Sequence, residues 1–105
     1  MRVVAVVTDL MDRSRISAAI PNVTFVRAAS EVDTADIVIV DVRIGVEGIR
    51  AVRASLPEVR IVGFGPHVDE VAIQQARAAG ADAAMPRSRF FRDVHAAAFG
   101  PLTDR

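Results

Sequence analysis

With 105 residues the chain has room for a single core, so we expect residues 1–105 to form one domain. Hydrophobic residues make up 51% of the chain and charged residues 25%, a composition that excludes intrinsic disorder. Thirteen basic residues balance thirteen acidic ones and cysteine is absent, which disfavours charge-driven binding of nucleic acid or anionic lipid and excludes disulfides and thiolate chemistry.

The amino-terminal half of the chain predicts three strands, at residues 3–7, 23–26 and 37–40. The first and third runs are continuously apolar and rich in β-branched residues, which is typical of strands covered on both faces of a parallel sheet. The first run is too short for a signal peptide or a membrane span, so we expect a cytoplasmic protein. A helix is predicted at residues 12–20, and residues 28–35 leave space for two helical turns at most.

The carboxyl-terminal half of the chain predicts helices at residues 46–56, 68–79 and 91–98 and strands at residues 61–64 and 83–85. Gly80 suits the cap of the second of these helices. Strands that alternate with helices imply right-handed crossovers. We therefore expect an α/β fold, a doubly wound five-stranded parallel sheet in a three-layer, flavodoxin-like architecture with a shortened second crossover.

Two carboxylates, Asp9 and Asp41, directly follow predicted strands. In an open parallel sheet the carboxyl ends of the strands form the ligand crevice. Two carboxylates brought together there can hold a hard cation such as Mg²⁺. Alternatively, Asp9 caps the first helix and has no ligand.

Several segments resemble the receiver domain of bacterial response regulators: VVTDLMD around Asp9, IVIVDVR around Asp41, and IVGFGPH through ARAAGADAAMPRSRF. The resemblance covers nearly the whole chain. It implies phosphorylation on Asp41, with Mg²⁺ held by Asp9, Asp41 and the backbone carbonyl of Arg43 and with Arg87 on the phosphate. Carboxylate chemistry of this kind depends mainly on positioning and electrostatics.

The chain departs from the family pattern at several positions. Thr8 replaces the first acid of the metal-binding turn, Gly65 the hydroxyl residue of the fourth strand, and Ala84 the switch aromatic of the fifth. Arg87 replaces a lysine, and Pro86 precedes it where the family has a proline after it. Gly65 and Ala84 offer no group that interacts differently with two states, which a switch requires.

The resemblance and its departures suggest an atypical, non-enzymatic receiver domain that acts through a signalling partner or a homodimer, with phosphorylation lost or uncoupled. Its expected contact surface is the fourth helix, the fifth strand and the last helix. One alternative is a single-domain receiver that a histidine kinase phosphorylates on Asp41 with Mg²⁺. Another is a small enzyme or nucleotide-binding domain, although a glycine-rich phosphate loop is absent. We expect no direct DNA binding, because the sequence offers no element to read a groove.

Two histidines have alternative interpretations. His67, after the fourth strand, could contact a phosphate, bind a metal or sense pH, or simply be exposed. His95 is expected at the boundary of an apolar helix face.

The segment before the last helix is basic and aromatic. Arg87, Arg89 and Arg92 could form a basic edge, or a solvated helix face. Phe90 and Phe91 are adjacent, so we expect one of them to be exposed at an interface.

Overall fold

Five parallel strands form one sheet in the order β2-β1-β3-β4-β5. The computed structural model describes residues 1–66 and 69–102. The strands are β1 (Val3–Val6), β2 (Thr24–Val26), β3 (Ile37–Asp41), β4 (Arg60–Gly65) and β5 (Ala83–Pro86). The predicted α/β class and five-stranded parallel sheet are confirmed. Within the described residues, no helix is long and apolar enough to cross a membrane.

Helices cover both faces of the sheet. They are α1 (Leu10–Ala19), α2 (Val46–Ser55), α3 (Glu70–Ala78), α4 (Arg87–Arg92) and α5 (Val94–Phe99), with 3-10 helices η1 (Ala29–Glu31) and η2 (Val42–Ile44). Alternate β1 residues face opposite ways: Val3 and Ala5 join a core with α1, α4 and α5, and Val6 joins a core with α2 and α3. The result is the predicted three-layer architecture.

The last predicted helix is instead two helices. Asp93 separates them with an extended φ of −155°, and its carboxylate caps α5 by accepting the backbone N–H of Ala96 at 3.0 Å. Helical spacing alone could not show this break, because an aspartate fits a helix surface as well as a cap. The predicted starting residue of the third helix, Val68, lies outside the described residues.

The expected exposed phenylalanine is not found. Phe90 is fully buried and Phe91 half-buried, and both rings pack on Phe64 with centroids 4.7 and 5.2 Å away. The expectation was wrong because α4 is a short helix at the edge of the core, where two adjacent rings can approach one buried ring from different sides.

The second crossover contains only one turn of 3-10 helix, η1, which confirms that it is shortened. Helix α2 packs directly against this turn. Gly48 permits the approach, since a Cβ at that position would lie 2.8 Å from the Cβ of Ala29. In the carboxyl-terminal half, Gly80 follows α3 with a φ of 122°, a conformation that favours glycine.

Candidate functional site

The carboxylate of Asp41 lies at the carboxyl end of β3 and is buried. Its Oδ1 accepts the backbone N–H of Arg43 at 3.0 Å and so caps η2. The Arg43 side chain folds back over the same group: Nε donates to Oδ1 at 3.0 Å and to Oδ2 at 3.1 Å, and Nη2 donates to Oδ2 at 2.7 Å. Both carboxylate oxygens therefore already have a guanidinium partner.

A second buried carboxylate, Asp12, lies on α1 and is 1% exposed. Arg87 binds it with both terminal nitrogens, Nη1 to Oδ2 and Nη2 to Oδ1, each at 2.7 Å. Arg43 Nη2 also lies 3.4 Å from Asp12 Oδ2. Asp41, Arg43, Asp12 and Arg87 thus form one electrically neutral chain of contacts, called here the Asp41 cluster.

Sequence reasoning did not identify Asp12 or the side chain of Arg43 as members of this site. One signal was available for Asp12: it precedes Ile16 by four residues, and both lie on the buried face of α1. An acid on the apolar face of a helix implies a cationic partner, because a buried unpaired charge is costly. The sequence does not show that this partner is Arg87, 75 residues away.

Asp9 is exposed and is not a member of the Asp41 cluster. Its Oδ1 accepts the backbone N–H of Asp12 at 3.0 Å, so it caps α1 as the simpler interpretation expected. This hydrogen bond, helped by the positive charges of Arg43 and Arg87, holds the pKa of Asp9 below its usual value. The group is therefore ionised at neutral pH.

The arrangement does not fit a divalent cation. Among the described residues, no group of three or more acidic or histidine side chains is placed to hold a metal ion. The guanidinium of Arg43 occupies the oxygens of Asp41, and Asp9 is engaged at α1. A metal site at Asp9, Asp41 and the Arg43 carbonyl stays a prediction that requires Arg43 to move.

Both arginines of the cluster stay charged. The hydrogen bond to Asp41 raises the pKa of Arg43 above its already high value, and the hydrogen bond to Asp12 does the same for Arg87. A positive charge therefore lies beside Asp41 at every physiological pH. The Arg43 side chain thus supplies a positive charge at the position where a bound cation would otherwise neutralise Asp41.

Val42 fills the space beside Gly65, the position to which the resemblance assigns a hydroxyl side chain. It is 5% exposed, and a Cβ added at Gly65 would overlap its Cγ2. A Cβ at Gly63 would lie 3.3 Å from its Cγ1. Ala84, to which the resemblance assigns the switch aromatic, is buried in β5. The Val42 side chain therefore fits in its place only because residue 65 is glycine.

The remaining candidate residues lie away from Asp41. Arg89 and Arg92 are exposed on α4, and only Arg87 of the three arginines contacts the cluster. His95 is exposed, with its ring centroid 4.6 Å from that of Phe99. His67 lies outside the described residues.

Comparison with known proteins shows what fold this is. No protein-family profile and no curated protein sequence matches the chain. Solved structures do match. A response regulator from Thermotoga maritima is 20% identical, with a TM-score of 0.75 and 90% of each chain covered. The BeF3-activated receiver domain of DrrB is 17% identical, with a TM-score of 0.79 over 90% of this chain and 91% of that one.

A third structure is a response regulator from Burkholderia pseudomallei with a phosphorylated aspartic acid and a calcium ion. It is 16% identical, with a TM-score of 0.73, and the match covers 98% of this chain and 67% of that one. The chain has the fold of response-regulator receiver domains.

Proposed function

We propose that this chain is an atypical receiver domain of bacterial two-component signalling, active in the cytoplasm as a binding module and without phosphorylation on Asp41. The receiver fold supports a signalling role. One observation carries the rest of the proposal: the guanidinium of Arg43 donates to both oxygens of Asp41.

Phosphoryl transfer to Asp41 would need an oxygen lone pair directed at the incoming phosphorus. Both oxygens accept hydrogen bonds from Arg43 at 2.7 to 3.1 Å, and the Asp41 side chain is 3% exposed. A charged partner at this distance lowers the nucleophilicity of the carboxylate and blocks the approach of a phosphoryl donor.

The chain also lacks the side chains that would convert phosphorylation into a conformational change. Val42 occupies the space of a hydroxyl side chain at position 65, and Ala84 has no ring to reorient. A state change requires a group that binds one state better than the other, and neither position supplies one.

An NMR titration of ¹⁵N-labelled protein with Mg²⁺ and beryllofluoride, a phosphoryl mimic, tests the proposal. We expect no shifts in the wild type and shifts near Asp41 in Arg43→Ala, because this substitution frees the carboxylate. Asp41→Asn in the Arg43→Ala background should abolish them. Arg50→Ala, which removes an exposed arginine of α2, should behave as the wild type does.

The alternative is a working single-domain receiver that a histidine kinase phosphorylates on Asp41 with Mg²⁺. Its supporting observation is that the Arg43 side chain is 46% exposed, so solvent can accommodate it after displacement. Wild-type shifts at Asp9, Asp41 and Arg87 that vanish in Asp41→Asn would establish this alternative and contradict the first.

The proposed contact surface for a signalling partner or a second copy is formed by α3, β5 and α5. Val71 on α3 contributes an apolar side chain that is 67% exposed. Light scattering and pull-down should show association that Val71→Asp weakens. Leu10→Asp, at a position 78% exposed on α1, is the matched control. Association lost only in the Leu10 variant would place the surface elsewhere.

A further inference from the structure

A cavity of about 350 Å³ opens between the edge strand β5 and the helices α4 and α5. No residue of the Asp41 cluster lines it. Its wall contains three arginines, Arg60, Arg89 and Arg92, and one acid, Asp93. The rest is apolar apart from glycine, with Met85 and Leu102 as the largest side chains. Its size lies at the small end of the range for ligand pockets.

The sequence and the fold explain why three arginines converge there. Arg89 and Arg92 are three residues apart on α4 and so lie on the same side of that helix. Arg60 begins β4, the strand that pairs with β5. Met85 and Ala83 are alternate residues of β5 and point to the same face of the sheet.

The residues that line this cavity include more basic than acidic side chains. Among residues 1–66 and 69–102, none of its three arginines has a carboxylate within ion-pair distance. The one acid, Asp93, is already used as the cap of α5. Counted over the described residues that line it, the wall carries three positive charges and one negative charge.

Arg60 is the least exposed of the three arginines. Its Nε is buried and has no hydrogen-bond acceptor among the described residues, although its Nη2 donates to the carbonyl of Gly100. A buried donor without an acceptor costs free energy. The contact with Gly100, another residue of the wall, keeps the Arg60 guanidinium beside the cavity.

We propose that this cavity binds a small phosphate ester with an apolar body. A phosphate monoester carries a charge of roughly −1.5 to −2 at neutral pH, which matches the excess of two positive charges. Guanidinium groups bind phosphate oxygens in pairs, with charge-assisted hydrogen bonds. The apolar surface around Met85 and Leu102 is suited to the organic part of the ester.

The test is a titration of the labelled full chain with phenyl phosphate, followed by backbone and arginine Nε–H signals. Inorganic phosphate and phenol serve as the two halves of the probe. We expect saturable shifts in β5, α4 and α5, with phenyl phosphate bound about tenfold more tightly than inorganic phosphate because it also buries the ring. Phenol alone should give no saturable shift. Equal affinity for inorganic and phenyl phosphate, or no saturable shift at all, would overturn the proposal.

Charge-removing variants separate this site from general attraction. Arg89→Gln and Arg92→Gln should each weaken phenyl phosphate binding by roughly tenfold or more, the usual effect of losing one charge-assisted hydrogen bond. Arg50→Gln removes an exposed arginine on α2 and should have little effect. An equal loss in all three variants would contradict a defined site. Asp41→Asn should bind normally, so the result is independent of the function proposed above.

Discussion

Arg87 holds a carboxylate that water cannot reach. Asp12 is 1% exposed, and its two oxygens face the two terminal nitrogens of one guanidinium. Burying such a pair gives little net stability, but removing Arg87 leaves the buried Asp12 with only the longer contact to Arg43 at 3.4 Å. The fold therefore depends on each partner more than the strength of the pair suggests.

Arg87→Met should lower the free energy of unfolding by about 2–4 kcal/mol. The value is below that for a fully buried pair because the Arg87 side chain is 30% exposed. Urea denaturation measures it. Arg50→Met, which breaks an exposed pair with Glu47, should change stability by less than about 0.5 kcal/mol. Equal losses in the two variants would mean that Asp12 does not need its partner.

Gly65→Ser tests whether Val42 leaves room for a side chain at position 65. The Cβ would overlap Val42, so we expect a loss of about 1–3 kcal/mol from overpacking. Backbone strain is not involved, because φ at Gly65 is negative.

Val42→Ala supplies the control for that substitution. The double variant should be less destabilised than the sum of the two single variants, by about 1 kcal/mol, because alanine makes room for serine. Strict additivity in denaturant unfolding would show that the two positions are independent.

The pH dependence of stability in acid should show that the ionised Asp9 carboxylate stabilises α1 as its cap. Its pKa is lowered in the folded chain, so its contribution to stability is present above the ordinary value of 3.8 and is lost as pH falls through the folded value. The pKa values of Arg43 and Arg87 are raised, so their contributions are lost only in strongly alkaline solution. Asparagine caps helices well and does not titrate. The difference in unfolding free energy between wild type and Asp9→Asn should therefore shrink below pH 4, and a constant difference would contradict the assignment.

At the scale of elements, the strands were predictable and one helix was not. Continuous apolar runs identify β1, β3 and β4 because both of their faces are buried. The break between α4 and α5 depends on whether Asp93 caps a helix or continues one, and both fit the spacing. The sequence pattern shows which strands are buried on both faces. Tertiary packing decides whether the chain at Asp93 continues a helix or begins a new one, because the two conformations have similar free energies.

The candidate site was predictable to the same extent. The ends of β1 and β3 put Asp9 and Asp41 on one edge of the sheet, which topology alone requires. The sequence does not show which positive group binds Asp41. Arg43 is two residues away, and its side chain can turn either toward solvent or toward the Asp41 carboxylate, as it does in the structure. The sequence resemblance predicts a role for the backbone carbonyl of Arg43 and contains no information about its guanidinium.

For the whole molecule, stability should be graded across the sheet. Strand β3 pairs on both sides and all of its residues are buried, whereas β2 is an edge strand of three residues, none fully buried. Native-state hydrogen exchange should show β3 amides opening only with global unfolding and β2 amides opening at lower free energy. Uniform protection across both strands would contradict this gradient.

The close approach of Gly48 to Ala29 limits where residues can be inserted into this chain. Surface connections usually accept inserted residues at small cost, because solvent surrounds them. Here α2 packs against the crossover itself, at a spacing that leaves no room for a methyl group on Gly48. An epitope, label or fused peptide placed in the second crossover would have to project outward as an extended loop or lift α2 from the sheet, which makes this short connection a poor insertion point despite its position at the surface.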